Sequence, residues 1–307
     1  MKSVLITGGT DGLGRAAAIL LAERGYNVFA GGRDPEKLAS LAQLARERKL
    51  PLQPIELDVC NRDSIDRSVS EIERSGNSVD ILVNNAGIVI LAAMEEISAE
   101  DLRKQYETNL FGAVRLMQRV LPEMRRKRRG RIINMSSLSG RIVHPLYGPY
   151  ASTKFALEAV SDAMRLELYP FDIHVVLIEP GYIETNIKRT ALELSSSYAE
   201  RAGGSPYVGI YQPILKWAKT SNRSRTTPED CARVVLRAIE DTRPRPRYLV
   251  TRGAKMWVLA RRLLSDRALD RLTRKVFGLN ELRAAHEKIL TVHEKVDVHC
   301  GGISKGV

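Results

Sequence analysis

The sequence holds few cysteines, three in 307 residues, at positions 60, 231 and 300. Widely spaced and odd in number, they exclude a disulfide framework and read as free thiols of a reducing, cytoplasmic compartment. No apolar run approaches the ~18 residues that a membrane-spanning helix needs. No signal peptide is expected at the start, because Val4-Leu5-Ile6 passes from Lys2 straight into a glycine turn. Internal repeats and long linkers are lacking too. His286, His293 and His299 lack the spacing of metal ligands, so no metal is expected.

What is present supports a sizeable core: 44% of the residues are hydrophobic. The net charge of +12 is regional. Residues 243–277 carry eleven Arg or Lys against two Asp, and 125–131 carry six basic groups in seven positions, so the remainder is slightly acidic. The run at 125–131 has no interleaved aromatics and is expected to be a solvated charge run, with no nucleic-acid partner.

Short apolar runs at 3–7, 27–30, 52–57, 81–84, 131–135, 174–179 and 247–251 alternate with helical patterns. That alternation predicts an α/β fold with a parallel, doubly wound sheet. Strands rich in Val, Ile and Leu fit a sheet covered on both faces. Asp34-Pro35-Glu36 and Thr227-Pro228-Glu229-Asp230 read as helix starts, each with an N-cap and a proline at the first helical position. Residues 188–226 are the least regular part of the body. A tail after Thr251 is helical in pattern. We expect a catalytic domain over 1–253, including a substrate-loop region at 182–226, and a basic helical extension over 254–307.

Thr7-Gly8-Gly9-Thr10-Asp11-Gly12-Leu13-Gly14 lies between the first strand and the first helix. In that context glycines let a pyrophosphate approach the backbone at a helix N-terminus. The simple alternative is a tight turn with no ligand. The second strand is expected to end at Gly32, where an acid would hold the ribose of NAD. Gly32 is followed instead by Arg33, whose guanidinium suits a 2′-phosphate. This favours NADP(H), with Asp34 as the competing ribose ligand. Asp58 ends the third strand and could meet the adenine edge. Asn84-Asn85-Ala86-Gly87 ends the fourth and lines the cofactor or simply turns.

Ser137 follows the fifth strand, 13 residues before Tyr150, and Lys154 comes four after it. On a helix Tyr150 and Lys154 share a face. An ammonium favours the phenolate, which is expected to bring Tyr150 toward neutrality as a general acid/base.

These pieces, in this order and spacing, resemble the short-chain dehydrogenase/reductase family over residues 1–253. The resemblance implies a Rossmann fold with seven parallel strands and a catalytic set of Ser137, Tyr150, Lys154 and Asn109. Asn109 would hold a relay water near Lys154, or serve as an ordinary helix-interior amide. Implied cofactor contacts are Thr7, Gly8, Thr10, Gly12, Leu13, Gly14, Arg33, Asp58, Val59, Asn85, Ala86, Gly87, Tyr150, Lys154, Pro180, Gly181, Ile183 and Thr185. The resemblance also implies a homo-oligomer through helices around 103–125 and 151–169. The run from Tyr150 to Glu158 is similar to that of members acting on steroids and retinoids.

The expected activity is NADP(H)-dependent interconversion of a carbonyl and an alcohol on an apolar steroid-, retinoid- or lipid-like substrate. The rivals are a 3-oxoacyl thioester reductase and a catalytically silent NADP(H) sensor or scaffold. Tyr147, Tyr182 and Tyr211 are offered as a pocket wall, against plain core packing. The tail presents Met256, Leu259, Ala260 and Leu263 on one face, then Leu269, Leu272 and Val276 opposite arginines. It is expected to cap the substrate pocket or to touch a membrane surface.

Overall fold

The computed structural model describes residues 1–220 and 226–283. Residues 221–225 of the substrate-loop region, the three histidines at 286, 293 and 299, and Cys300 lie outside them.

Seven parallel strands form one sheet in the order β3-β2-β1-β4-β5-β6-β7. They are β1 (Ser3–Ile6), β2 (Asn27–Gly32), β3 (Leu52–Glu56), β4 (Ile81–Asn84), β5 (Gly130–Met135), β6 (Ile173–Glu179) and β7 (Arg247–Leu249). Every apolar run became a strand, with ends moved by one or two residues. The chain order reverses between β1 and β4, and ligands of open parallel sheets bind beyond the carboxyl strand ends at such a point.

The helices are α1 (Gly12–Glu23), α2 (Pro35–Glu47), α3 (Arg62–Arg74), α4 (Ala99–Tyr106), α5 (Gly112–Lys127), α6 (Gly148–Glu167), α7 (Ile187–Leu194), α8 (Ser196–Arg201), α9 (Val208–Thr220), α10 (Pro228–Glu240), α11 (Arg252–Leu263) and α12 (Asp266–Val276). The two predicted N-caps are in place. Asp34 accepts from the Glu36 and Lys37 amides, and Thr227 forms a capping box with Asp230.

Strand residues alternate between two cores, as pleating requires. Val4, Ile6, Val28, Ala30 and Val83 pack toward α1 and α10. Leu5, Phe29, Leu82 and Ile132 pack toward α3 and α5. A third core joins Val89–Ala93 to Leu146, Tyr150, Tyr198, Tyr211 and Ile214, beyond the sheet edge.

The basic run at 125–131 is largely a solvated charge run, with Arg125, Arg126, Arg128 and Arg129 exposed. Arg126 and Lys127 pair with Glu123, and Arg131 donates to the carbonyls of Ala238 (2.8 Å) and Asp241 (2.9 Å). Arg131 thus satisfies orphan carbonyls at the end of α10. No helix among the described residues is long and apolar enough to cross a membrane.

Candidate active site

The glycine turn is built by close approach. Gly8 and Gly12 have φ of +61° and +51°, where side-chain-bearing residues are strained. A Cβ on Gly14 would lie 2.2 Å from the Gly8 carbonyl oxygen. At Gly12, by contrast, a Cβ would meet Thr185 Cβ only at 3.6 Å, an ordinary contact, so the positive φ and not crowding favours glycine there.

Not every predicted contact is free to meet a cofactor. The Thr7 hydroxyl accepts from the amides of Asn85 and Ala86, both at 2.9 Å. The Asn85 amide group donates back to the Thr7 and Gly8 carbonyls at 2.9 and 3.2 Å. These residues clasp the ends of β1 and β4 together. Val59 and Ile183 are buried in the two cores, so their side chains serve packing. Leu13 and Ala86 pack partly against the same cores. A Cβ on Gly181 would sit 2.2 Å from Thr251 Oγ1, which ties Pro180-Gly181 to the start of α11.

At the β2 and β3 ends, Arg33 is 65% exposed and lies 3.7 Å from Asp58. Any side chain at Gly32 would strike Thr10, whose Oγ1 and Cγ2 lie 2.6 Å from the Cβ position. An acid cannot stand there without displacing Thr10. Asp34 is engaged in capping α2 at 3.0 and 3.3 Å. A second cation, Lys37, pairs with Asp11 at the start of α1. Asn186 also donates to Asp11, at 2.8 Å, so the segment after β6 crosses over the glycine turn.

At the β4 and β5 ends, Ser137, Tyr150, Lys154 and Asn109 come together. Ser137 lies close enough to the Tyr150 phenol to favour its ionised form and, as a cap, accepts from Ser139 N at 3.1 Å. Tyr150 stands in the first turn of α6, and Lys154 Nζ lies 5.7 Å from its ring centre. Lys154 is buried and donates to the Met135 carbonyl at 2.9 Å. Asn109 sits on a π-helical turn, Glu107–Phe111, between α4 and α5. It clamps Ile88 through both the amide (2.8 Å) and the carbonyl (2.9 Å), and donates to Thr153 Oγ1 at 3.1 Å. Asn109 Oδ1 and Lys154 Nζ both flank Gly87, at 3.2 and 3.8 Å from its Cβ position.

One expectation needs correcting. Tyr150 does not approach neutrality: burial pushes its phenol up to about 12, with Ser137 opposing. Burial likewise lowers Lys154, to about 8. Loss of water is the dominant cause for both groups.

His144 escaped the sequence reading. It lies six residues before Tyr150, and its ring meets Trp257 at 5.2 Å and Phe277 at 4.9 Å, centre to centre. Its Nε2 is buried without a hydrogen-bond partner, and burial lowers its pKa to about 4. An isolated histidine in a loop gave no signal of this. Beside it opens a cavity of about 510 Å³, lined by Met94, Val143, Leu146 and Gly148 from the body and by Thr273 and Arg274 from α12. Tyr211 is core instead: it is 1% exposed, accepting from Ala93 N and donating to Glu96.

A family model described as short chain dehydrogenase matches residues 2–194. The chain belongs to the short-chain dehydrogenase/reductase family. It is an oxidoreductase of that family, whose members bind a nicotinamide dinucleotide. Among curated relatives, the 3-ketodihydrosphingosine reductase of Bacteroides thetaiotaomicron is 32% identical, over 78% of this chain and 84% of that protein. The NADPH-dependent 3-dehydrocapnine reductase of Ornithobacterium rhinotracheale is 31% identical, over 89% and 96%. Retinol dehydrogenase 8 of Bos taurus is 34% identical, over 79% of each chain. A short-chain dehydrogenase structure from Streptomyces avermitilis superposes with a TM-score of 0.71 at 27% identity, covering 92% of this chain and 97% of that one.

Proposed function

We propose that this dehydrogenase/reductase uses NADPH to reduce an apolar, lipid-like ketone or aldehyde to its alcohol. The observation that carries the reading is the convergence of Ser137, Tyr150 and Lys154 beyond the carboxyl end of β5, with Tyr150 and Lys154 buried. Ser137 and Tyr150 hydrogen-bond one carbonyl oxygen. Tyr150 holds its proton until the oxygen becomes basic, then donates it; a phenol at about 12 is in the right form for reduction at neutral pH. Lys154 stabilises the phenolate left behind. A bound nicotinamide supplies the hydride. Asn109 holds the Ile88 turn in place and keeps its carboxamide oxygen near Lys154.

Three features support NADP(H). Gly32 has no room for a ribose-binding acid, Asp34 is engaged in a cap, and Arg33 and Lys37 bring positive charge to the adenosine end. The similar 3-dehydrocapnine reductase, which is NADPH-dependent, agrees. An apolar substrate is supported by the cavity beside His144, with half-exposed Met94 and Val143 at its mouth. The names of the sphingosine-type and retinol relatives point the same way. In this reading residues 1–253 are the catalytic domain and the tail forms one wall of the substrate cavity.

Exposed Phe111, Phe155, Leu166 and Tyr169 support a homo-oligomer through the helices around 103–125 and 151–169. Met256, Leu259 and Leu263 are exposed among arginines, which supports peripheral membrane contact of a cytoplasmic enzyme. The deciding experiment is a panel of soluble and lipid-like carbonyls, assayed with NADPH and NADH on wild type and Tyr150→Phe. Turnover by wild type with NADPH and loss in the variant, with cofactor binding kept, are expected. A variant that keeps wild-type turnover overturns the reading.

A further inference from the structure

Lys154 carries its charge where water does not reach: it is 4% exposed, against the Met135 carbonyl. A lone buried ammonium tends to lose its proton, so a neighbour must favour it. One helical turn onward, on the same face of α6, stands Glu158, itself 6% exposed. Its negative charge raises the Lys154 pKa, against the larger effect of burial.

Glu158 is held in turn. Arg247, on the last strand, donates from Nε to Glu158 Oε2 at 3.0 Å and lies 3.3 Å from Glu179. Its terminal nitrogen reaches both Asp162 oxygens, at 2.6 and 2.7 Å. Arg141 donates to the fully buried Glu179 at 3.0 Å. Burial raises the Glu158 pKa; the Ser136 hydroxyl and Arg247 favour its charged form, while Glu179 opposes it. Ser136 Oγ and Glu158 Oε1 face each other without ordinary hydrogen-bond geometry, so their contact is chiefly electrostatic.

The charged and titratable groups around the pair are therefore Tyr150 and Asp162 on α6, Arg141 after β5, Glu179 on β6 and Arg247 on β7. The turn at Asn109 and Gly87 brings only neutral groups. Positive and negative groups alternate from Lys154 to Arg141, as a buried set must if each is to stay charged.

We propose that Glu158, anchored by Arg247, is a positioning residue whose carboxylate keeps Lys154 an ammonium beside Tyr150. This rests on the catalytic reading of Tyr150 and Lys154 above. In that reading, reduction fails once Lys154 loses its proton, because the Tyr150 phenolate then has no cation to stabilise it. The alkaline limb of the rate therefore reports Lys154. Tyr150 itself, at about 12, titrates above that window.

The test is kcat/KM for carbonyl reduction from pH 6 to 10 in wild type, Glu158→Gln and Glu158→Asp, with melting temperatures and the KM for NADPH. Glu158→Gln is expected to move the alkaline limb down by about one pH unit, with the KM for NADPH unchanged. Glu158→Asp keeps the charge and is expected to move it less. A folded Glu158→Gln that loses rate equally at every pH, or loses none, overturns the proposal. If Glu158→Gln does not fold, Arg247→Met is the second arm. Glu158 without its guanidinium takes up a proton more readily, so the limb must again fall, and an unmoved limb overturns the proposal. These failures differ from failure of the catalytic reading, which is wild type without turnover or Tyr150→Phe with full turnover.

Discussion

The carboxyl edge of the sheet places charge in two contrasting settings. At the β2 and β3 end, Arg33 and Asp58 are 65% and 35% exposed and 3.7 Å apart. At the β5, β6 and β7 end, Lys154, Glu158 and Glu179 are all buried, and the carboxylates are bound by arginines that come from other elements. Exposed charges remain hydrated and cost little to hold, so they suit recognition of a ligand that arrives with its own charge. Buried charges interact strongly and shift each other's protonation, which suits chemistry. In the proposed reading, the same sheet separates recognition from reaction by burial.

The largest effect should come from the buried end. Tyr150→Phe removes the proposed proton donor while leaving ring packing intact, and turnover should fall by roughly 10²–10⁴-fold. Cofactor affinity, measured by fluorescence titration, should stay within a factor of about three, since a change of less than ~1 kcal/mol is expected there. Loss of cofactor binding as large as the loss of rate would merge the two ends and break the contrast.

The exposed end should respond more modestly. Arg33→Ala should lower the NADPH-to-NADH preference by about 10- to 100-fold, the worth of a charge-assisted contact. Because Arg33 lies in water, that preference should also shrink with added salt, whose Debye length is about 10 Å at 0.1 M. The alkaline limb of the rate should not respond to salt in the same way. A strong preference for NADH in wild type would reverse the assignment of Arg33.

His144 tests the buried setting by stability instead of rate. Its folded pKa of about 4 is depressed from the ordinary 6.5, chiefly by burial. Between those values the unfolded chain binds the proton and the folded chain does not, so stability falls as pH drops through that window. Across the whole window the loss is on the order of 3 kcal/mol. His144→Leu should flatten that part of the melting-temperature profile relative to wild type. Parallel profiles would mean that the imidazole stays hydrated.

Much of this was legible in sequence because it is local. Strand runs, the glycine turn, and the caps at Asp34 and Thr227 depend on neighbours within a few residues. So does the spacing of Ser137, Tyr150 and Lys154. What was not legible is long-range. Arg247 is 89 residues from Glu158, and His144 meets Trp257 and Phe277 only because α11 and α12 fold back over the loop before Tyr150. The pKa of Tyr150 was misjudged for the same reason. Spacing places an ammonium near a phenol, but burial is set by the third core, whose parts come from residues 89 to 214.

The smallest effect is expected on the tail. Met256, Leu259 and Leu263 are 69%, 56% and 72% exposed, so replacing them with serine removes little burial. Stability should change by no more than about 0.5 kcal/mol per site, and turnover of a soluble carbonyl should stay at the wild-type level. Co-sedimentation with vesicles containing anionic lipid should nevertheless fall, because apolar insertion and charge attraction act together at a membrane surface. Charge reversal at Arg261 and Arg262 should reduce it further at low salt. If wild type leaves such vesicles in the supernatant, the apolar stripe does not serve a membrane, and the exposed charge of the tail has a different role from that of Arg33.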